Sequence, residues 1–165
     1  KYEAYEYYMD AVKRDGVPYE LIEKALPTIE GEVNDILSQM VDFGIVLEMD
    51  GKNINTYLAY DEDNVWPLEL SSGMERFVSS LAMRVGLINV CNLPRANFLA
   101  IDEGFGNMDS DNLNSVYMLF QYLKSQFQFA FIVSHIESMR DTVDSLLEIT
   151  KIKGFSNISL PSKFS

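Results

Sequence analysis

Apolar side chains recur at helical spacing at the start of the chain. Tyr2, Tyr5, Met9 and Val12 follow one another at intervals of three, four and three residues, which is the spacing of a coiled-coil seam. The run is short, and an ordinary amphipathic helix explains the same four residues. The pattern therefore predicts a helix and leaves open whether that helix belongs to a coiled coil.

Two further helices are predicted before residue 41. Gly16 and Pro18 interrupt the first pattern, and a short helix is expected over Tyr19–Leu26. Pro27 suits the first turn of the next helix, about Thr28–Met40, because a first-turn residue has no intrahelical acceptor for an N–H group. The apolar stripe of that helix is Ile29, Val33, Ile36, Leu37 and Met40.

The apolar period changes to two from Phe43 onward. Phe43–Met49 and Asn53–Tyr60 are predicted strands. Asp50-Gly51 between them suits a tight hairpin turn, because both positions tolerate positive φ. The acidic stretch 61–64 is expected to be a solvated loop.

The second half of the chain alternates helices with continuously apolar strands. Its predicted elements are a helix over about Gly73–Val90, a strand over Phe98–Ile101, a helix over about Ser110–Ser125, a buried strand over Phe129–Val133 and a last strand near Leu146–Thr150. This alternation predicts an α/β fold with a mainly parallel sheet flanked by helices, preceded by the β-hairpin.

Composition narrows the class of protein. A chain of 165 residues, 47% of them apolar, fits one domain with a substantial core. No apolar run approaches the roughly 20 residues that a membrane-spanning helix needs, so we expect no membrane partner. The single cysteine, Cys91, excludes an internal disulfide framework. It suits a reducing intracellular compartment such as the cytoplasm, the nucleoid or the nucleus.

The charge distribution bears on nucleic-acid binding. The net charge is −12, and residues 1–70 hold 5 basic and 16 acidic side chains against 8 and 9 in residues 71–165. Affinity for DNA depends mainly on neutralising phosphates with lysine and arginine. If DNA is a partner, other parts of an assembly have to supply most of the positive charge.

Two groups of polar residues in the second half could carry chemistry. Asp102 and Glu103 follow directly after the strand 98–101. At the carboxyl end of a strand, one carboxylate could hold Mg²⁺ and the other could polarise water. An acidic loop after a core strand would give the same pattern. Ser72-Gly73 begins a helix, with Glu75 at the spacing of a capping box. The same helix start could equally bind a phosphate through its N–H groups and dipole.

Two more residues follow the strand ends. His135 is the only histidine and comes after Ser134 at the end of strand 129–133, where its ring could hydrogen-bond a terminal phosphate. A lone histidine is more often structural. The turn 104–109 contains two glycines and ends in Asp109, which can cap the next helix.

Taken in order, these motifs resemble the C-terminal lobe of an ABC-type ATPase head. In family terms, Ser72-Gly73 looks like the signature motif and the strand 98–103 like the Walker B strand. The turn that ends in Asp109 looks like the D-loop, and Ser134-His135 looks like the H-loop. Four motifs in this order and spacing are unlike a chance arrangement.

The helix after Ser72 narrows the resemblance to the DNA-repair branch of the structural-maintenance-of-chromosomes (SMC) superfamily, with SbcC-type ATPases the nearest match. Ser72–Arg76 and Leu81–Arg84 are similar to the patterns S-G-G-E-[KR] and L-A-x-R. Met74 stands where the second glycine usually is, and a register that begins at Ser71 fits less well. The segment 16–37 also resembles the point where the returning coiled coil of this family enters the head.

One motif of this family has no counterpart in the sequence. No G-x-x-x-x-G-K-[ST] occurs, so the loop that cradles the phosphates of ATP is expected on a separate N-terminal lobe. We therefore predict half a head. Residues 1–40 would form the end of a coiled coil and the helices leading into the head, and residues 41–165 would form the C-terminal lobe.

The resemblance implies an ATPase with ATP and Mg²⁺ as cofactors. Asp102 would hold the metal, Glu103 would orient the hydrolytic water, and His135 would contact the γ-phosphate. The residues implied to bind nucleotide are Ser72, Gly73, Glu75 and Asp109. The implied partners are the N-terminal lobe, a second head that dimerises on ATP, a nuclease subunit and, through the assembled complex, double-stranded DNA.

Two alternatives remain at this point. The nucleotide-binding subunit of a membrane transporter has the same four motifs, but the coiled-coil-like start and the L-A-x-R helix argue against it. A non-catalytic ATPase-like scaffold is favoured only by Met74. The presence of Asp102, Glu103, Asp109 and His135 together argues against such a loss of activity.

Overall fold

The structure is a computed structural model that describes residues 2–13, 15–51, 53–102 and 113–159. The chain divides into two compact units, residues 1–97 and residues 98–165. The predicted division at residue 40 stays a prediction. Together the elements of the two units form a mixed α/β fold, as expected from the alternating pattern.

The first helix, α1, spans Tyr2–Val12 and confirms the predicted element. It buries none of its residues, and Tyr2, Tyr5, Met9 and Val12 are all exposed. The assignment of these four residues to a coiled-coil seam stays a prediction.

The second helix, α2, runs unbroken over Val17–Leu37, so the predicted division into two helices at Pro27 is wrong. Pro27 and Glu23 both lie on the exposed side of α2, where water can replace the hydrogen bond that proline cannot donate. The buried face of α2 holds the helix together through packing. Its buried residues are Leu26, Val33, Ile36 and Leu37.

An antiparallel sheet of three strands follows α2. β1 spans Gly44–Asp50, β2 spans Asn53–Ala59, and β3 spans Val65–Pro67. The strands are ordered β1-β2-β3, which confirms the predicted hairpin of β1 and β2. The third strand, β3, was not predicted, because a run of three residues is too short to show an alternating pattern. Asp50 pairs with Asn53, so the turn begins at Gly51, whose φ of 58° suits glycine.

The third helix, α3, spans Gly73–Val90, as predicted. It contacts α2, and its apolar face is buried. The buried residues of α3 are Val78, Ser79, Leu81, Ala82, Val85 and Gly86. The first unit therefore has a core shared by α2, α3 and the sheet β1-β2-β3.

The second unit is built on one parallel strand pair. β4 spans Phe98–Asp102, α4 spans Leu113–Gln126, and β5 spans Phe129–Val133. β4 and β5 pair in parallel, which confirms the predicted topology for these strands, and α4 contacts β5. The predicted start of α4 at Ser110 lies outside the described residues.

The predicted full burial of β5 is wrong. Exposure alternates along the strand, and Phe129, Phe131 and Val133 are exposed. Side chains of successive strand residues point to opposite faces, and α4 supplies most of the buried apolar residues described in this unit. Those helical residues are Val116, Leu119, Phe120, Tyr122 and Leu123. One face of the strand pair thus stays open within the described residues.

A second hairpin ends the described chain. β6 spans Glu148–Ile152 and β7 spans Phe155–Ser159, paired antiparallel. Lys153 and Gly154 form the turn with φ values of 51° and 88°, as a two-residue hairpin turn requires. The last strand was expected slightly earlier, and β7 was not predicted. Among the described residues, no helix is both long enough and apolar enough to cross a membrane.

Candidate functional site

The N-terminus of α3 is closed by a reciprocal cap. Ser72 is the N-cap residue, and its Oγ accepts a hydrogen bond from the Glu75 N–H at 3.3 Å. The Ser72 N–H donates to Glu75 Oε2 at 2.6 Å. This is the capping box that the spacing of the two residues predicts.

The two neighbouring serines at this helix start have different environments. Ser71 is buried, and its hydroxyl donates to the Leu68 carbonyl at 2.6 Å. Ser72 is exposed. Only Ser72 can therefore present its hydroxyl to a ligand in this conformation, which favours the motif register that begins at Ser72.

Glu75 has a second contact that sequence analysis did not anticipate. The Tyr60 hydroxyl, just beyond β2, donates to Glu75 Oε1 at 2.7 Å. Burial of the Glu75 carboxylate raises its pKa, but the hydrogen bonds from Tyr60 and Ser72 outweigh that effect and hold the pKa below its ordinary value. Glu75 is therefore ionised at neutral pH.

These contacts define what Glu75 does within the described structure. Each of its carboxylate oxygens accepts a hydrogen bond from the protein, one from Tyr60 and one from Ser72. Glu75 thus acts on the helix start through Ser72. Its predicted direct role in nucleotide binding stays a prediction.

The end of the parallel strand pair brings a carboxylate and the histidine to one sheet edge. Asp102 is the last residue of β4 and pairs with Val133, the last residue of β5. Ser134 and His135 follow Val133 directly. Because carboxyl ends of parallel strands meet at one edge, Asp102 and His135 lie at the same edge, where α/β folds bind ligands.

The turn around His135 is held locally. Ser134 Oγ accepts a hydrogen bond from the Ile136 N–H at 3.2 Å and donates to Met139 Sδ at 3.3 Å. Met139 is buried and anchors this turn. His135 itself is exposed, as is Asp102, so solvent reaches both residues at the sheet edge.

The remaining predicted site residues are divided by the structure. Glu103 and Asp109 lie outside the described residues. Ser72, Gly73 and Glu75 belong to the unit 1–97, whereas Asp102 and His135 belong to the unit 98–165. Each unit therefore holds only part of the predicted set.

The donor set at the sheet edge is compatible with Mg²⁺. Mg²⁺ is usually bound in nucleotide sites by one or two carboxylates together with phosphates and water. The exposed Asp102 carboxylate at the end of β4 is a ligand of that kind. No group of three or more metal-ligating side chains occurs within the described ranges.

Named relatives of the chain include DNA-repair ATPases. An uncharacterized protein of Acanthamoeba polyphaga mimivirus is 33% identical over 93% of this chain and 13% of its own length. The DNA double-strand break repair Rad50 ATPase of Methanococcus maripaludis is 29% identical over 93% of this chain and 15% of its own length. The SbcC subunit of the nuclease SbcCD of Deinococcus radiodurans is 32% identical over 53% of this chain and 10% of its own length.

Solved structures of SMC proteins share the fold. One chain, from a study of ATP-driven dimerization and DNA-stimulated activation of SMC ATPases, matches with a TM-score of 0.70 at 15% identity, over 87% of this chain and 89% of that one. An SMC head bound to the C-winged helix domain of ScpA matches with a TM-score of 0.67 at 17% identity, over 88% of this chain and 46% of that one. The chain is a Rad50- and SbcC-related segment with the fold of an SMC ATPase head.

The chain is short beside these relatives. It spans 13% and 15% of the length of the first two. No family model matches the chain. The relatives found are consistent with the SbcC-type interpretation that Ser72–Arg84 suggested.

Proposed function

We propose that this chain is the C-terminal part of an SMC-like ATPase head that dimerises on ATP and acts with a nuclease in the repair of DNA double-strand breaks. The observation that carries the proposal is the register of the parallel pair, in which Asp102 pairs with Val133 and lies at the edge that continues into His135. The likeness to Rad50 and to the SbcC subunit of SbcCD supports the biological role.

Residues at the sheet edge would carry the hydrolytic chemistry. Asp102 would hold Mg²⁺, which when bound neutralises charge on the phosphates. Glu103, which follows Asp102 directly, would orient and polarise the attacking water. His135 would donate a hydrogen bond to the γ-phosphate from the exposed turn after β5.

The start of α3 would complete the site of a second head. The Ser72 hydroxyl and the N–H groups of the first turn, with the positive end of the helix dipole, suit a phosphate. Gly73, which has no side chain, would allow a phosphate to approach the backbone of this turn closely. Asp109 would contribute from the turn after the Walker B strand.

An exposed apolar sheet face supports the expected N-terminal lobe. Phe98 pairs with Phe129, and both are exposed together with Phe131 and Val133. Apolar patches of this kind mark surfaces that other protein parts cover. We propose that the lobe bearing the phosphate-cradling loop covers this face.

The acidic charge bears on how DNA would be bound. With a net charge of −12, the segment repels the phosphate backbone. Double-stranded DNA would therefore be contacted mainly by the remainder of the head, the coiled coil and the nuclease subunit.

Replacement of the proposed catalytic carboxylate tests the function. In the complete protein, we expect Glu103→Gln to keep ATP binding and to abolish turnover, because the amide keeps the shape and loses the base. ATP-bound dimers should accumulate in sedimentation experiments. Glu62→Gln, in the exposed acidic loop, is the matched control and should hydrolyse ATP normally.

The same measurements distinguish the rival functions. A wild-type protein that binds ATP and dimerises without turnover would be a scaffold, and Met74→Gly would then be expected to restore hydrolysis. Wild-type turnover in the Glu103→Gln variant would exclude Glu103 as the catalytic carboxylate. A heptad-rich sequence before Lys1 in the complete protein would favour the SMC-type head over a transporter subunit.

A further inference from the structure

Tyr60 connects the antiparallel sheet to the start of α3. It lies just after β2, fifteen residues before Glu75, and its hydroxyl donates to Glu75 Oε1 at 2.7 Å. The ring stacks on Trp66 with centroids 5.5 Å apart and lies tilted against Phe43, also at 5.5 Å. Two aromatic neighbours therefore fix the direction in which the Tyr60 hydroxyl points.

The hydrogen bond between Tyr60 and Glu75 persists at neutral pH. Burial and the hydrogen bond to Glu75 raise the pKa of Tyr60 to about 12, so the hydroxyl keeps its proton. Glu75 is ionised, since its pKa lies below the ordinary value. A phenol that donates to a carboxylate is a charge-assisted hydrogen bond and stronger than one between neutral groups.

The Glu75 carboxylate passes this restraint to Ser72. Its other oxygen, Oε2, accepts the Ser72 N–H at 2.6 Å, and the Glu75 N–H donates to Ser72 Oγ. The cap thus uses the N–H groups of Ser72 and Glu75. The first-turn N–H groups of Gly73 and Met74 have no intrahelical acceptor, and the Ser72 hydroxyl keeps its own proton to donate.

We propose that Tyr60 is a positioning residue for ATP-dependent dimerisation: through Glu75 it holds the Ser72 cap so that the remaining donors of the α3 start face the phosphate of an ATP on a second head. This inference rests on the proposed function. It assigns Glu75 to the same task, with its carboxylate acting on the helix start and not on the nucleotide.

The contribution of the hydroxyl can be separated from that of the ring. Tyr60 is 45% exposed, so water can solvate Glu75 Oε1 when the hydroxyl is removed. Tyr60→Phe keeps the ring between Phe43 and Trp66. A purely structural residue at this position would therefore tolerate the change with little effect on dimerisation.

The test compares Tyr60→Phe with Tyr57→Phe in the complete protein. Tyr57 lies on β2 and has no side-chain hydrogen bond among the described residues, so its variant is the matched control. We expect Tyr60→Phe to weaken ATP-driven head dimerisation roughly tenfold, as loss of one hydrogen bond to a charged group would. The affinity of a single head for ATP should stay at the value of the control.

A double variant keeps the test decisive if Tyr60→Phe also lowers the unfolding midpoint. When Glu75→Gln has already weakened the restraint on Ser72, adding Tyr60→Phe should reduce dimerisation by much less than tenfold. Full additivity of the two losses would overturn the inference, as would a Tyr60→Phe protein that dimerises like wild type.

The same data separate this inference from the proposed function. A wild-type protein that does not dimerise with ATP would remove the proposed function and this role of Tyr60 with it. Dimerisation that is lost in Ser72→Arg but unchanged in Tyr60→Phe would keep the function and overturn the role of Tyr60 alone.

Discussion

Gly86 of α3 lies so close to Val33 of α2 that a Cβ built on the glycine would meet Val33 Cγ2 at 2.8 Å. Val33 is fully buried, and its β-branched side chain has little rotamer freedom in a helix. The next contacts of that Cβ would be the Val33 N and Glu32 Cγ, both at 3.6 Å. Close approach of the two helices therefore depends on the absence of a side chain at Gly86.

Alanine at two helical glycines should have opposite effects. Gly86→Ala gains helix propensity but overpacks the α2–α3 contact, and we expect a net loss of about 1 kcal/mol. Gly31→Ala, on the exposed side of α2 with no atom within 4 Å of the new Cβ, should gain about 0.5–1 kcal/mol. Urea denaturation measures both. Equal stabilisation by the two substitutions would contradict the close packing at Gly86.

Side chains of α2 also protect the outer edge of β1. Asn34 Nδ2 donates to the Ile45 carbonyl at 2.9 Å, and the Ile45 N–H donates to Asn34 Oδ1 at 2.7 Å. Glu30 Oε2 accepts the Leu47 N–H at 2.7 Å. β1 is an edge strand, and these contacts satisfy backbone groups that would otherwise be open to pairing with another strand.

Loss of the Asn34 amide should destabilise the first unit. Asn34→Ala leaves the Ile45 N–H and carbonyl without their partner, and we expect a cost of about 1–3 kcal/mol. Amide hydrogen exchange at Ile45 should accelerate. Gln39→Ala is the control, because its amide donates only to the Asp35 carbonyl on the exposed side, and it should change stability by less than about 0.5 kcal/mol.

The sequence predicted an element correctly where residues within that element determine its ends. α3 begins at a Ser72 cap and carries a continuous apolar face, so its bounds followed from the sequence. The division at Pro27 failed because the exposed position of this proline within α2 depends on tertiary packing. β3 was missed because its three residues form a strand only by pairing with β2.

The candidate site was predictable to a similar degree. The capping residues lie three apart and follow a local rule, and the strand alternation brought Asp102 and His135 to one edge. Tyr60 meets Glu75 only after the chain has turned through β3, a contact that no spacing rule specifies. The only sequence feature that pointed to Tyr60 was its position as an aromatic residue at a strand end. Aromatic residues are common in sheets, so this feature did not single it out.

The Tyr60–Glu75 bond predicts a pH dependence of stability in the alkaline range. The pKa of Tyr60 is about 12 against an ordinary value of 10.0, so the folded state binds this proton more tightly than the unfolded state. The stabilisation is fully present below pH 10 and is lost as the pH rises toward 12. The stability advantage of wild type over Tyr60→Phe should therefore shrink across this range.

Denaturation at several pH values between 9 and 12 measures this difference, with Tyr57→Phe as the control that also removes a tyrosine hydroxyl from the first unit. Parallel curves for wild type and Tyr60→Phe would contradict a Tyr60 hydroxyl that donates to Glu75.

The chain on its own should not bind ATP tightly. It contains no G-x-x-x-x-G-K-[ST] loop, and backbone N–H groups of that loop supply most contacts to the phosphates in this class of ATPase. Calorimetry of the 165-residue chain with Mg-ATP should show no micromolar binding. Addition of the N-terminal lobe should restore it, whereas micromolar binding by the chain alone would argue against a divided nucleotide site.

Ser72 caps α3, and its proposed second role is to donate a hydrogen bond to a phosphate on another head. A single substitution separates the two roles only in part. If Ser72 acts as a cap, Ser72→Ala should lower the free energy of unfolding by about 0.5–2 kcal/mol. If its hydroxyl also donates to a phosphate across the interface, loss of that hydroxyl should lower ATP turnover by a factor of roughly 10²–10³. Ser72→Arg adds bulk and should block ATP-driven dimerisation more severely than Ser72→Ala.

Mixing two inactive heads decides between a cap and a contact across the interface. One head carries Ser72→Arg, and the other carries a broken phosphate loop. If Ser72 serves the ATP of the opposite head, the heterodimer places both defects in one composite site and leaves the other site intact, so partial ATPase activity should return. The control pairs Ser72→Arg with Ser72→Arg, where each site keeps one defect and no activity should return. Differential tagging verifies that the heterodimer forms. If it forms and no activity returns, Ser72 either serves only as the cap of α3 or belongs to a dimer that hydrolyses ATP only when both sites are intact.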